Sequence, residues 1–251
     1  MDSTPPTNDN MEPSTQAGTL ILIATPIGNL EDITHRAERI LREIDALACE
    51  DTRTTRKILQ RYDIPKPKTL LSYHEHNEPV AGKRILAILN EGQSVALVSD
   101  GGYPGISDPG YRIVNAAIDA GHRIEVLPGA SAPPMALLLS GLPTSSYTFM
   151  GFAPRKTGAR RRAFEAEADR PHTLIFFESP HRIEAFLQDA LAVLGHRKAA
   201  VCIEMTKKFE RIHRGFLDDL AGDFDGVTVK GQVTVVIAGI DRKQRKNIPQ
   251  S

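Results

Sequence analysis

The chain has 251 residues, of which 41% are hydrophobic and 25% charged, an ordinary globular composition with room for one large domain or two smaller ones. Its 31 basic and 31 acidic residues cancel, which excludes a global field for nucleic acid and leaves any such affinity to local patches. The two cysteines, Cys49 and Cys202, end or interrupt apolar runs, which suits buried free thiols in a reducing compartment and not a disulfide framework.

Residues 1–17 are rich in Pro, Thr, Asn and Asp, with neither a basic start nor an apolar stretch, so they are expected to be disordered and to form no signal peptide. No apolar run approaches the roughly 18 residues that a membrane span takes, and a cytoplasmic protein is expected. From Thr19 onward, apolar runs alternate with amphipathic ones. Residues 19–24, 45–49, 69–72, 94–99 and 123–127 read as strands, while Ile33, Ala37, Ile40, Leu41 and Ile44, and then Ile85, Leu86, Ile88 and Leu89, keep helical spacing. Strands separated by helices predict right-handed crossovers and a parallel sheet covered on both faces. An Ala- and Leu-rich helix over 132–139 precedes a cluster of breakers at 140–146, which sets the expected boundary between an N-terminal α/β domain, 18–143, and a C-terminal one, 144–240. In the second domain, strands are expected at 147–150, 173–177, 199–204 and 233–238, with a further candidate at 209–215 and helices over 158–168 and 181–194. A smaller, mixed sheet is expected there, followed by a basic tail over 241–251.

In open α/β sheets, ligands gather outside the carboxyl ends of the strands. Three loops at those ends are rich in Gly, Pro, Asp and Ser: Thr25-Pro26-Ile27-Gly28-Asn29-Leu30, the stretch from Ser99 to Gly110, and Pro128-Gly129-Ala130-Ser131-Ala132. None is a Gly-x-x-x-x-Gly-Lys-Ser/Thr phosphate loop or a Gly-x-Gly-x-x-Gly fingerprint, which argues against nucleoside triphosphates and NAD. Backbone carbonyls and the Asp100 carboxylate suit a ligand with an adenosine part and a cationic centre.

Six stretches carry a resemblance to a known family: Thr25 to Leu30, Cys49-Glu50-Asp51-Thr52-Arg53, His74-Glu75-His76-Asn77-Glu78, Val98 to Gly110, Leu127-Pro128-Gly129 and Phe177-Glu178-Ser179-Pro180-His181-Arg182. In this order, from about Thr19 to Gly239, they resemble the motifs of the tetrapyrrole-methylase-like (class III) S-adenosylmethionine methyltransferases. Within that family they are similar to the branch that 2′-O-methylates a cytidine of small-subunit ribosomal RNA. The resemblance implies two α/β domains with a cofactor cleft between them, a homodimer, and ribosomal RNA or the small ribosomal subunit as partner. It implies that S-adenosyl-L-methionine touches Ile27, Gly28, Asp100, Tyr103, Ile106, Ser131 and Ala132, with Phe177 and Gln232 closing over the adenine. The chain departs from the family pattern at Gly101 and Tyr103, where Ala and Thr are usual, and at Gln232, where Glu is usual.

A ribose hydroxyl is a weak nucleophile, so a base and a cation beside it should accelerate methyl transfer. Glu50 and Asp51 are the candidate base or orienting carboxylate, Arg53 a phosphate grip, and Asn29 completes the expected catalytic set; the competing reading makes Asp51 or Thr52 a helix cap. His74-Glu75-His76-Asn77-Glu78 reads three ways: a metal site, a substrate loop using His76, Asn77 and Glu78, or a solvated loop capping the next helix. Arg155, Lys156, Arg160, Arg161 and Arg162, with Arg56 near the catalytic candidates, would supply phosphate contacts, and Lys207, Lys208 and Arg211 form a second basic cluster. The aromatic residues near these cations are Tyr73, Phe152 and Phe164. Two other functions stay open: a tetrapyrrole methyltransferase on the same fold, and a non-catalytic RNA-binding ribosome assembly factor.

Overall fold

The computed structural model describes residues 18–240; the expected disordered segment, 1–17, and basic tail, 241–251, lie outside the described residues. The chain forms two compact units, one from the residues up to Thr25 with Ile33–Gly129, the other from Pro26–Asp32 with the residues from Ala130 onward. The boundary therefore falls after Gly129 and not at 143/144. The breakers at 140–146 end a helix instead, Gly141 adopting the left-handed conformation (φ 71°) that a helix C-terminus favours.

In the first unit, β1 (Thr19–Ile23), α1 (His35–Glu43), β2 (Ala46–Cys49), α2 (Thr52–Arg61), β3 (Thr69–Ser72), α3 (Glu78–Asn90), β4 (Val95–Val98), α4 (Tyr111–Asp119) and β5 (Arg123–Leu127) alternate along the chain. The strands are ordered β3-β2-β4-β1-β5, and every pair is parallel. Both faces are covered. Leu20, Leu22, Ala46, Ala48, Val95 and Leu97 pack with Ile85, Leu89, Ile113 and Ala117 of α3 and α4. The alternate residues Ile21, Ile23, Leu47, Cys49, Ala96 and Val98 pack with Ala37, Leu41 and Leu59 of α1 and α2. This two-sided burial is why the strands read as unbroken apolar runs. The crossover after β1 runs toward β2, and the one after β4 runs the opposite way to β5, so the neighbours β1 and β4 mark the topological switch point, the place where open α/β sheets bind their ligands.

In the second unit, α5 (Ala132–Ser140), β6 (Tyr147–Phe152), α6 (Thr157–Glu165), β7 (Thr173–Glu178), α7 (Ile183–Leu194), β8 (Lys198–Ile203), β9 (Arg211–Phe216), α8 (Leu217–Asp223) and β10 (Val233–Ile237) follow in turn. The sheet order is β6-β7-β10-β8-β9, β6–β7 being parallel and the other pairs antiparallel. The expected mixed sheet is present, with five strands, equal in number to the first. Phe164, Phe186 and Leu220 of α6, α7 and α8 pack on one face, Ala136 and Leu137 of α5 on the other. Helix α8 is not among the expected elements, although Leu217, Leu220 and Ala221 carry its buried stripe. The register pairs Phe152 with Phe177, Glu178 with Val233, Val233 with Ile203, and Ile203 with Arg211, which brings these positions to one end of the sheet.

Helix α6 corrects the reading of its arginine run. Arg160 lies one turn before the buried Phe164 and is itself only 2% exposed, its Nε 2.8 Å from Asp189 Oδ2 on α7. Helical periodicity puts it on the inner stripe, and a guanidinium consumed by a buried carboxylate is withdrawn from any phosphate. Arg161 shares Asp189 at 2.7 Å from the exposed side, while Arg155, Lys156 and Arg162 are exposed.

Candidate active site

The β1 and β4 strand ends are joined by backbone. Thr25 N–H donates to Gly102 O at 2.9 Å and Gly102 N–H returns to Thr25 O at 2.8 Å, while Thr25 Oγ1 donates to Ser99 O at 3.0 Å. The next loop is tied in through a side chain: Gly129 N–H donates to the Tyr103 hydroxyl at 2.9 Å. Gly129 is needed there, because a Cβ would lie 2.8 Å from that of Ala24. Tyr103, one of the positions at which the sequence departs from the pattern it resembles, thus fastens the loop after β4 to the loop after β5. Ile106 is exposed at 48% in the same β4 loop, where Gly110 (φ 152°) closes on Gly105, leaving no room for a Cβ.

The β2 and β4 ends are coupled through carboxylates. Asp51 N–H donates to Asp100 Oδ1 at 3.3 Å, and Asp100 N–H donates to Glu50 Oε2 at 3.4 Å. Desolvation followed by repulsion from Asp100 raises Glu50. Desolvation likewise raises Asp100, and it pushes Asp108 up to about 6 with help from the Glu50 charge. Asp51 goes the other way, down to about 2, because Arg53 donates to it from Nη2 at 2.6 Å and from its backbone at 2.7 Å. Asp51 is thus both the cap of α2 and the tether of Arg53, so the two readings of that motif are compatible. The sequence does not single out Asp108, since its perturbation depends first on burial in the fold and then on Glu50, which is remote along the chain.

The loop after β3 is largely self-contained. Asn77 Oδ1 accepts His74 N–H, and Asn77 Nδ2 donates to Ser72 O, both at 2.9 Å. Glu78 accepts the Tyr73 hydroxyl at 2.9 Å and faces Arg112 at 3.5 Å. His76 alone of the three substrate-loop candidates is fully exposed, as is Arg56 on α2. Among the described residues, no group of three His, Cys, Asp or Glu side chains is arranged to hold a metal ion, and no helix is long and apolar enough to cross a membrane. Cys49 and Cys202 are free and buried, burial pushing Cys202 up to about 12.

In the second unit, three expected residues converge on one turn. Asn29 N–H donates to Thr206 Oγ1 at 3.0 Å, and a Cβ on Gly28 would lie 2.8 Å from Met205 O. Lys207 Nζ binds Glu204 Oε1 at 2.7 Å and Gln232 Oε1 at 3.0 Å. Lys207 is therefore held by an acid and an amide and is withdrawn from the basic cluster in which the sequence groups it. Glu204 (φ 52°) and Thr206 (φ 66°) are left-handed, a strained state for a β-branched threonine of the kind found at functional sites. Nothing in the sequence marks this, since neither position is glycine. Phe177 meets Phe149 and Phe152 edge-to-face at 4.8 and 5.6 Å; Ile27, Ser131 and Ala132, also expected at the cofactor, belong to the same unit. The structure thus gathers Glu50, Asp51, Arg53 and Asp100 in the first unit, and Gly28, Asn29 and Gln232 in the second.

The model of the tetrapyrrole (corrin/porphyrin) methylases matches residues 19–221. A protein of Halalkalibacterium halodurans named ribosomal RNA small subunit methyltransferase I is 48% identical over 226 residues, covering 90% of this chain and 78% of the relative. One of the same name from Thermotoga maritima is 43% identical over 222 residues, covering 88% of this chain and 99% of the relative. Among solved structures, a cobalt precorrin-4 methyltransferase superposes with a TM-score of 0.67 at 16% identity, covering 91% of this chain and 98% of that one, a likeness of fold.

Proposed function

Since the chain belongs to the tetrapyrrole (corrin/porphyrin) methylase family, we propose that it methylates the 2′-hydroxyl of a cytidine in small-subunit ribosomal RNA with S-adenosyl-L-methionine. The names of the relatives support the RNA substrate. The observation that carries the cofactor is the carboxylate set Glu50, Asp100 and Asp108, in which burial raises all three proton affinities, Asp100 repels Glu50, and both repel Asp108. Such a set is relieved by a cationic centre, so a sulfonium fits it. Asp100, Tyr103 and Ile106 in one unit, and Ile27, Gly28, Ser131, Ala132, Phe177 and Gln232 in the other, are the proposed cofactor residues.

When bound, the cofactor supplies an electrophilic methyl carbon. The protein's part is to align the acceptor oxygen and exclude water. Glu50, its proton affinity raised, is the proposed base for the hydroxyl proton. Arg53, tethered by Asp51 through Nε and Nη2, keeps Nη1 for a phosphate. Asn29 Oδ1 accepts Glu31 N–H, which leaves its Nδ2 donors for the ribose. Arg56, His76, Arg155, Lys156, Arg161 and Arg162 are the proposed RNA contacts. The working form is proposed to be a cytoplasmic homodimer.

Transfer of labelled methyl groups to small ribosomal subunits, resolved into ribose and base products by nucleoside mass spectrometry, tests this reading. Ribose label on cytidine is expected. Label confined to tetrapyrroles overturns the substrate, and an absence of S-adenosylmethionine binding by calorimetry leaves an RNA-binding assembly factor.

A further inference from the structure

We propose that Phe209 is a stacking platform for an unpaired nucleobase of the RNA substrate, with Lys208 and Arg211 meeting the flanking phosphates; this rests on the RNA reading above. Of the aromatic residues that the sequence puts near cations, Tyr73 (1% exposed) and Phe164 (0%) are core, and Phe152 is already packed edgewise on Phe177. Phe209 is 71% exposed, and its ring is capped by Lys208 Nζ at 5.6 Å from the centroid. Lone apolar residues on a surface are ordinary. What distinguishes this one is the base on which it stands.

The turn from Glu204 to Glu210 is held in an unfavourable backbone state by hydrogen bonds from several directions. Lys207 N–H donates to Glu204 O and Glu210 N–H to Lys207 O, both at 3.0 Å. Thr206 N–H donates to Glu210 Oε2 at 2.7 Å, and Gln232 N–H donates to Glu204 Oε1 at 2.8 Å. These bonds also engage the local acids, Glu204 on Lys207 and Glu210 on backbone, so Lys208 and Arg211 are exposed cations at this turn with no ion pair found among the described residues. A rigid turn lowers the ordering cost of binding. A flat π face beside two cations is what an unpaired base with its phosphates recognises. The same turn grips Asn29 through Thr206, so a base stacked on Phe209 would lie along the chain from the loop proposed to meet the ribose.

The test uses the full-length protein, a single-stranded oligoribonucleotide and isolated small ribosomal subunits. Phe209→Ala is expected to weaken RNA affinity roughly 5- to 150-fold, the range for removing one base–aromatic stack, with cofactor affinity and Tm unchanged. Phe209→Tyr should restore binding, and Phe209→Leu, which keeps apolar bulk without a π face, should not. Lys208→Ala with Arg211→Ala should flatten the salt dependence. Unaltered affinity in Phe209→Ala overturns the proposal, and full binding by Phe209→Leu overturns it in favour of an apolar protein contact. Failure of the wild-type protein to bind RNA while it still binds S-adenosylmethionine overturns the RNA reading, and this one with it.

Discussion

Asp189 of α7 bridges two arginines of α6 at once, Arg160 from within the core and Arg161 from its rim. Replacing Arg160 by Ala leaves the buried carboxylate with Arg161 alone, on its rim, and the expected cost is about 2 to 3 kcal/mol, below the about 3 to 5 kcal/mol of a fully stranded buried charge, read as a lowered midpoint in urea unfolding. Arg162→Ala, on the exposed face, should be neutral for stability. Equal midpoints for the two variants would show that the ion pair contributes nothing.

The proposed phosphate role then falls to the exposed cations. Arg155→Ala, Lys156→Ala and Arg162→Ala combined should weaken RNA binding and reduce the slope of log affinity against log salt by about 0.7 to 0.9 for each phosphate no longer neutralised. Cofactor binding and Tm should stay at wild-type values. An unaltered slope would assign these side chains to a solvated surface.

Tyr103→Phe removes only the acceptor of Gly129 N–H. A net loss of about 0.5 to 1.5 kcal/mol is expected, appearing as a severalfold weaker affinity for S-adenosylmethionine in calorimetry, since the loops after β4 and β5 are no longer fastened. Unchanged affinity would mean that the two loops hold their places without the clasp.

Asp108 gives a pH signature. Its carboxyl is raised to about 6, chiefly by desolvation and then by the Glu50 charge. Binding its proton more tightly when folded, it stabilises most below about pH 4, and that contribution is lost as pH rises through 6. Asp108→Asn, which keeps the shape and cannot ionise, should therefore gain about 2 to 3 kcal/mol on wild type between pH 4 and pH 7.5. Urea unfolding at the two pH values measures this; parallel pH profiles would assign the titration to other members of the cluster. Asp51, held down to about 2 by Arg53, has the opposite sign and loses its contribution only as pH falls toward 2.

Strands are the most legible part of the sequence, because burial on both faces leaves Leu20 to Ala24 or Val95 to Val98 no polar position to blur the pattern. The strand-end loops are legible by composition. The depth of a charge within a helix is not: a run such as Arg160 to Arg162 shows its charge at a glance, whereas which member turns inward depends on the phase set by Phe164 and on Asp189, an acid far along the chain. The domain boundary differs from its expected place because breakers at a helix end and breakers between domains are the same residues. The turn at Glu204 to Thr206 is invisible in the sequence since its left-handed residues carry side chains, and only Gln232, Asn29 and Glu210 in place explain why they stay so.

The assignment of Pro26–Asp32 to the second unit means that the polypeptide passes between units after Thr25, after Asp32 and after Gly129. A fragment ending at Gly129 would carry the Gly28 backbone bare of Met205 and Asn29 without Thr206, and the complementary fragment would present that turn with nothing to hold. The two halves are thus separate in their cores yet joined as gene segments: no single cut at Gly129 separates them without taking the Gly28–Asn29 loop from the turn that supports it.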